Sequence, residues 1–346
     1  MTGTRFDLIG IGNAIVDVLA RTDDAFLDRH DMRKGGMALI DAGAAERLYA
    51  AMPAGQEASG GSVANSCAVA AGLGAHVAFL GKVANDQLGA VFAHDMRAMG
   101  VYYPTAPLAG GDPTARCLIL VTPDGQRTMN TYLGAGGAFG PGDIDAEAIR
   151  DSAVLYLEGY LFDPPAAQDA FYEAARLARG AGRKVALSLS DPFCVDRHRA
   201  GFLGLIAQGV DIVFANEAEV CALFEQNDFE RAADAAAQFV PLAVLTRSEA
   251  GSVIVEGATR HRAEAVPTEI VDTTGAGDAY AAGFMVALSR GESLPACASL
   301  ASRVASAAIA RIGARPDAAT LAAIGCSGPV ADSDQIPLSS SRGAKQ

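Results

Sequence analysis

The chain has 346 residues, half of them hydrophobic, enough to bury one large α/β core or two ordinary ones. A net charge of −13 with no Lys/Arg cluster argues against a nucleic-acid partner, which would need a basic footprint. No uncharged apolar run reaches the roughly 18 residues of a membrane span, residues 1–12 carry no charged leader, and the Cys and His residues lack metal-ligand spacing, so the chain reads as cytoplasmic with reduced thiols.

In chain order, residues 6–12 read as a buried strand ending in glycines, and residues 13–17 continue extended. Gly10-Ile11-Gly12 fails the dinucleotide fingerprint because Ile15 stands where a third glycine is required. Residues 18–21 and 37–41 are strand-like around a polar helix at 24–29. A small-residue helix over 62–74, a strand over 77–81 and an amphipathic helix over 86–99 follow, the last ended by Gly100. Residues 115–122 and 128–133, separated by Pro123-Asp124-Gly125-Gln126, predict a hairpin. Segments 18–41 and 101–135 are therefore expected to form a small sheet outside the main domain, placed as a lid.

After residue 150 the rhythm becomes regular. Strands at 154–157, 185–189, 212–214, 243–246 and 252–256 alternate with helices near 165–180, 198–208, 217–225 and 229–239. That is the pattern of a largely parallel sheet covered on both faces. Helices at 277–290 and 293–310 close the domain, which is expected to span residues 1–330 without repeat or linker. The tail over 331–346 has little to bury and is expected to be mobile.

Asp272-Thr273-Thr274-Gly275-Ala276-Gly277-Asp278, followed by Ala279-Tyr280-Ala281-Ala282-Gly283-Phe284, carries the most chemistry. Gly275, Ala276 and Gly277 leave their amides unobstructed at a helix N-terminus, which suits an anion in transit. Asp278 sits where a carboxylate can take a proton from an attacking hydroxyl, so turn and acid together describe a phosphoryl-transfer site. A bare glycine turn with a helix-start acid is the competing reading. Ser59-Gly60-Gly61-Ser62-Val63-Ala64-Asn65 is a second glycine cluster before a helix, with Asn65 able to donate and accept. Asp17, after the first strand, is a carboxylate suited to a vicinal diol, or a solvated strand-end acid. Asn216-Glu217-Ala218-Glu219 follows one strand, and its N-x-x-E spacing is by itself that of a capped helix start; Thr246-Arg247-Ser248-Glu249-Ala250-Gly251 ends another strand. Arg127, in the hairpin, could bring a guanidinium to phosphate, or could be a solvent-exposed turn residue.

The string from Asp272 to Phe284 closely resembles the C-terminal signature of the ribokinase-like (PfkB) family of carbohydrate and nucleoside kinases, and the resemblance runs from about residue 6 to 325. It implies a three-layer α/β/α domain with a mostly parallel central sheet and a small β-sheet lid. It implies ATP and Mg²⁺, with Asp278 as base and Gly275–Gly277 as anion hole. Asn13, Asp17, Gly60, Gly61 and Asn65 are then expected to hold the acceptor. Asn216 and Glu219 would organise Mg²⁺ through water, and Thr246 and Gly251 would border the triphosphate, although the family often has glycine at Ser248. The family's K⁺ near the anion turn leaves Asp272 as the nominated side chain. Gly81-Lys82-Val83-Ala84-Asn85-Asp86-Gln87-Leu88-Gly89 resembles the N-terminal signature, with Ala84 replacing its middle glycine.

Within the family the chain is most similar to adenosine kinases, through Gly10–Asp17, Ser188-Leu189-Ser190-Asp191-Pro192-Phe193 and Asn216–Glu219. Those kinases carry an aromatic pair where Tyr160-Leu161 stands. Ile15, Met129 and Leu161 are the candidates to flank a base. The expected activity is ATP-dependent phosphorylation of the 5′-hydroxyl of a purine nucleoside, adenosine first. A kinase for ribose, fructose or a related sugar is the alternative within the class, and a catalytically silent binding protein the alternative outside it. Both monomer and homodimer stay open.

Overall fold

The computed structural model describes residues 3–326, so the expectation for 331–346 lies outside the described residues. The strands are β1 (Phe6–Ile11), β2 (Ile15–Arg21), β3 (Met37–Leu39), β4 (Gln56–Gly60), β5 (Val77–Leu80), β6 (Val101–Tyr102) and β7 (Ala115–Val121). They continue with β8 (Arg127–Tyr132), β9 (Ser152–Glu158), β10 (Lys184–Ser188), β11 (Ile212–Asn216), β12 (Leu242–Thr246), β13 (Ser252–Glu256) and β14 (Thr259–Ala263). Nine of them form one sheet in the order β14-β13-β12-β11-β10-β9-β1-β5-β6; the other five form a second in the order β3-β8-β7-β2-β4.

The large sheet is parallel from β12 to β6 and antiparallel only where β13 and β14 are added. Its strands are apolar on both faces because both are covered. On one face Tyr156, Phe214 and Val244 pack with helices Ser62–Gly72, Ala276–Ser289 and Leu294–Ile309. On the other, Leu155, Leu157, Val213 and Leu245 pack with helices Pro165–Gly180, Pro192–Ala207 and Phe229–Phe239. The alternation along β9, Leu155 to one side and Tyr156 to the other, is the period-2 geometry of a strand. This is the three-layer α/β/α arrangement with a mostly parallel central sheet and a second small sheet. Among the described residues no helix is long and apolar enough to cross a membrane.

β1 lies between β5 and β9, so the chain order reverses there. Ligands of open α/β sheets bind beyond the carboxyl ends of the strands at such a point. The chain leaves β1 through Gly12–Ala14 directly into β2 of the small sheet, and returns from β4 through Gly61 into helix Ser62–Gly72. Gly61 has φ +101, and a Cβ there would collide with the Asn13 carbonyl oxygen. Only glycine makes that return without strain.

The small sheet differs in membership from the sequence expectation. It takes in β4, which was not anticipated, and its first strand starts at Ile15 rather than residue 18. Residues 101–102 instead form β6, the outermost strand of the large sheet on the β5 side. β4 reads Gln-Glu-Ala-Ser-Gly, with no β-branched or aromatic residue, and is a strand because the edge of β2 is there to pair with it. Helix Pro192–Ala207 starts earlier than expected, because Asp191 caps it through Cys194 N–H and Pro192 occupies its first turn.

Candidate active site

Thr273 to Gly277 form the turn that opens helix Ala276–Ser289. Gly275 is its N-cap with φ +74, and a Cβ at Gly275 would collide with the Ala314 carbonyl. No side chain caps this helix, and of the amides at its start Ala276 N–H donates to the Thr273 carbonyl oxygen at 3.3 Å, while Gly277 N–H has no side-chain acceptor. Asp278 is half-buried in that turn. Its Oδ1 accepts from Ser62 Oγ at 2.6 Å and its Oδ2 from Asn65 Nδ2 at 3.0 Å. Burial pushes this carboxyl up to about 6, opposed by those two hydrogen bonds and by the charge of Arg315. It is a stronger base than an exposed aspartate and is still ionised at neutral pH.

Asp17 projects from β2 on the face of the small sheet that carries Ile15, Leu19, Cys117, Ile119 and Met129, as the registers of β2, β7 and β8 require. The opposite face, with Val16, Val18, Leu118 and Leu120, is packed into the core. Asp17 lies against Gly60, where a Cβ would collide with its carboxylate. Burial pushes it up to about 6, Arg315 pulling it down and Asp278 pushing it further up. No protein hydrogen bond reaches its carboxylate among the described residues, so it is open to donors from a ligand. Asn65 is engaged at both ends: its Oδ1 accepts from Arg315 Nε at 2.8 Å while its Nδ2 serves Asp278. Asn13 is buried, with its Nδ2 donating to Glu158 Oε1 at 2.9 Å. Glu158 also accepts from Val63 N–H at 3.0 Å and is pushed up to about 7 by burial.

Arg127 opens β8 and is not a solvent-exposed turn residue. Its Nη1 donates to Thr274 Oγ1 at 2.6 Å and its Nη2 pairs with Asp272, so the small sheet is drawn onto the anion turn. Asp272 also accepts from Thr274 N–H at 3.0 Å and Gly313 N–H at 2.7 Å. With three protein donors on it, one a guanidinium, a monovalent cation at this side chain does not fit while Arg127 is in place.

On the other side of the turn lies a cavity of about 630 Å³, lined by Thr246, Gly251, Ile270, Ala276 and Gly277 among others. Ser248, also in its lining, has φ +50, a left-handed conformation costing an L-residue about 1–2 kcal/mol, which accounts for glycine being common there in the family. Asn216 and Glu219 form a reciprocal capping box: Asn216 Oδ1 accepts from Glu219 N–H, and the Glu219 carboxylate accepts from Asn216 N–H and Nδ2. Glu219 is buried and pushed up to about 7. Each of its oxygens accepts one of these bonds and keeps a second lone pair, a donor set that fits a hard cation holding its own waters.

Leu161 does not reach the opening. It is 1% exposed and packs with Phe162 and Leu189 on the far face of the large sheet, because Gly159–Phe162 form a 3₁₀ turn that sends it inward. Its neighbour Tyr160 is the less buried of the pair and faces Asp191 and Glu219. Glu158 and Arg315 take part in the site although neither was singled out from the sequence, and Ser62 and Thr274, which lie within the two glycine-containing motifs, had no role assigned. The signal for Glu158 was present, an acid at the end of an apolar strand run; for Arg315 there was none.

The chain is similar along most of its length to known kinases. An adenosine kinase from Sinorhizobium meliloti is 52% identical, with 92% of this chain and 98% of that one covered and a TM-score of 0.86. A probable sugar kinase protein from Rhizobium etli CFN 42 is 48% identical, with 92% and 97% covered and a TM-score of 0.87. The adenosine kinase of Saccharomyces cerevisiae is 26% identical over 331 residues, 88% of this chain and 95% of that protein. The model of the pfkB family carbohydrate kinases matches residues 36–321, most of the chain that builds both sheets and the anion turn. The chain belongs to the pfkB family of carbohydrate kinases.

Proposed function

We propose that the protein transfers the γ-phosphoryl group of ATP to the 5′-hydroxyl of a purine nucleoside, adenosine first. The observation that carries this reading is the carboxylate of Asp17, free of protein donors, beside half-buried Ile15, Leu19 and Met129 and buried Ile119 on one face of the small sheet and coupled to Asp278. A ribose diol satisfies the carboxylate, and a flat heterocycle gains by burial against the apolar side chains. A free sugar would satisfy Asp17 and leave those side chains unmatched.

The acceptor oxygen attacks the γ-phosphorus. The new O–P bond forms as the bond to the β–γ bridging oxygen breaks, ADP leaves, and the hydroxyl proton passes to Asp278. The amides of Gly275, Ala276 and Gly277 at the helix start, the middle one also donating to the Thr273 carbonyl at 3.3 Å, meet the charge on the phosphoryl oxygens, and Arg127, held beside Thr274, is placed to add a guanidinium. Asn216 and Glu219 would hold Mg²⁺ through water. The ion supplies charge neutralisation on the triphosphate. The small sheet serves as a lid that excludes water from the transfer site.

The test is kcat/KM for adenosine, inosine, guanosine, ribose and fructose at one saturating ATP concentration. Adenosine is expected to lead. Ribose or fructose exceeding every nucleoside replaces this reading with a sugar kinase, and no transfer to any of them replaces it with a binding protein.

A further inference from the structure

Arg315 follows helix Leu294–Ile309 and lies outside every motif described above. Its guanidinium turns back into the acceptor side of the site. Nε donates to Asn65 Oδ1 at 2.8 Å, Nη1 to Ser59 Oγ at 3.0 Å with the Met99 sulfur at 3.4 Å, and Nη2 is buried with no hydrogen-bond partner. A guanidinium left with a bare buried N–H is costly unless its charge is matched nearby. The matching charges come from three elements: Asp17 on β2, Asp278 in the anion-turn helix and Asp95 on helix Gln87–Ala98.

The bond to Asn65 has a geometric consequence. A primary amide can turn over and exchange its donor and acceptor ends. Arginine only donates, so the end facing Arg315 must be Oδ1, and the end facing Asp278 must be Nδ2. We infer that Arg315 is a positioning residue of the transfer site: it locks the Asn65 amide with its N–H toward Asp278 and sets one positive charge against the Asp17–Asp278 carboxylate pair. This rests on reading Asp278 as the base.

The groups facing that pair are few. Asp278 meets Ser62 and Asn65 from helix Ser62–Gly72, Arg315 from the chain after helix Leu294–Ile309, and Tyr156 and Glu158 from β9. Asp17 meets Asp278, Arg315 and Arg127, and the Cys117 thiol of β7 lies in register beside it. Burial pushes both carboxyls up to about 6, and Arg315 opposes that rise at each of them. Without it the pair takes up protons at higher pH, and its two steps belong to the pair rather than to either residue.

The test is the pH profile of kcat/KM for adenosine, at saturating ATP, in the wild type, Arg315→Gln, Arg315→Lys and Asp278→Asn, with ADP affinity measured alongside by calorimetry. In Arg315→Gln the acid limb is expected to move up by about one pH unit, so that activity at low pH falls about tenfold more than at high pH. ADP affinity is expected to stay at the wild-type value. Arg315→Lys keeps the charge, so its limb should stay in place while the plateau drops, because one ammonium does not reproduce the fork that holds Asn65 and Ser59. An Arg315→Gln limb coincident with the wild type overturns the inference, as does an Arg315→Lys limb displaced equally far. If Arg315→Gln does not fold, Arg315→Met provides the uncharged variant. Wild-type turnover by Asp278→Asn would show that the reading of the base has failed; a silent Asp278→Asn with an unmoved Arg315→Gln limb fails only the inference.

Discussion

Asp278 and Asp17 are two carboxylates in one opening with different surroundings. Asp278 is held by Ser62 and Asn65, while Asp17 has no protein donor. Their substitutions should therefore separate. Asp278→Asn keeps the shape but removes the proton acceptor, and kcat should fall about 10²–10⁴-fold with nucleotide affinity unchanged; near-wild-type kcat would remove Asp278 from the chemistry. Asp17→Ala should raise KM for the acceptor by about 10–100-fold, the worth of lost charge-assisted hydrogen bonds, and KM for ATP little. An equal rise in both would place Asp17 elsewhere. The anion turn was legible in the sequence because its chemistry is local: turn, free amides and acid fall within seven consecutive residues. Leu161 was not, because nothing in a strand-to-turn run states which of two neighbouring side chains turns inward. Arg315 was not, because its partner Asn65 lies 250 residues earlier and no local pattern announces the meeting.

The second sheet is entered from the first at Gly12–Ala14 and over residues 103–114, is left through Gly61 and over residues 133–151, and is pinned by Arg127 on Asp272 and Thr274. Glu158 braces the first crossing by holding Asn13 and the amide of Val63 together. Arg127→Met should release the start of β8, so hydrogen exchange over 115–132 should quicken in the free enzyme; unchanged protection would show that the pairing holds nothing. Adding acceptor to the wild type should slow exchange over both 15–60 and 115–132 if this sheet closes over the site. The parallel strands were legible because burial on both faces makes them short continuous apolar runs between helical segments. β4 and β14 were not. Each is polar or half-exposed and exists because a neighbouring strand offers an edge.

Across the molecule, Asp17 and Asp278 are raised to about 6 and Glu158 and Glu219 to about 7, all chiefly by burial. In the unfolded chain such groups ionise near 4, so between about pH 4 and 7 the native state holds protons that the unfolded state has released. Stability from these four is therefore fully present only below about pH 4 and is lost progressively as pH rises from there through 6 to 7. Asp124 and Asp317 are held below the usual range by hydrogen bonds and by ion pairs with Lys34 and Arg311, and Asp86 by hydrogen bonds from Thr114 and Gly89 that outweigh its burial; their contribution is lost in the opposite direction, below about pH 4. Calorimetry should find Tm highest near pH 4 and lower at pH 8, while kcat/KM rises over the same interval; a Tm that climbs steadily to pH 8 would contradict the assigned burial. The interleaving of the two sheets bears, finally, on how the chain assembles. β2 and β7 are parallel neighbours, Ile15 beside Ala115, and between them the chain has visited the large sheet to lay down β5 and β6. Closing so long a loop has little reward until the large sheet brings its ends together. In pulse-labelled refolding, amides of β9–β12 should gain protection before those of β2 and β7, so that the small sheet closes only on a large sheet already in place.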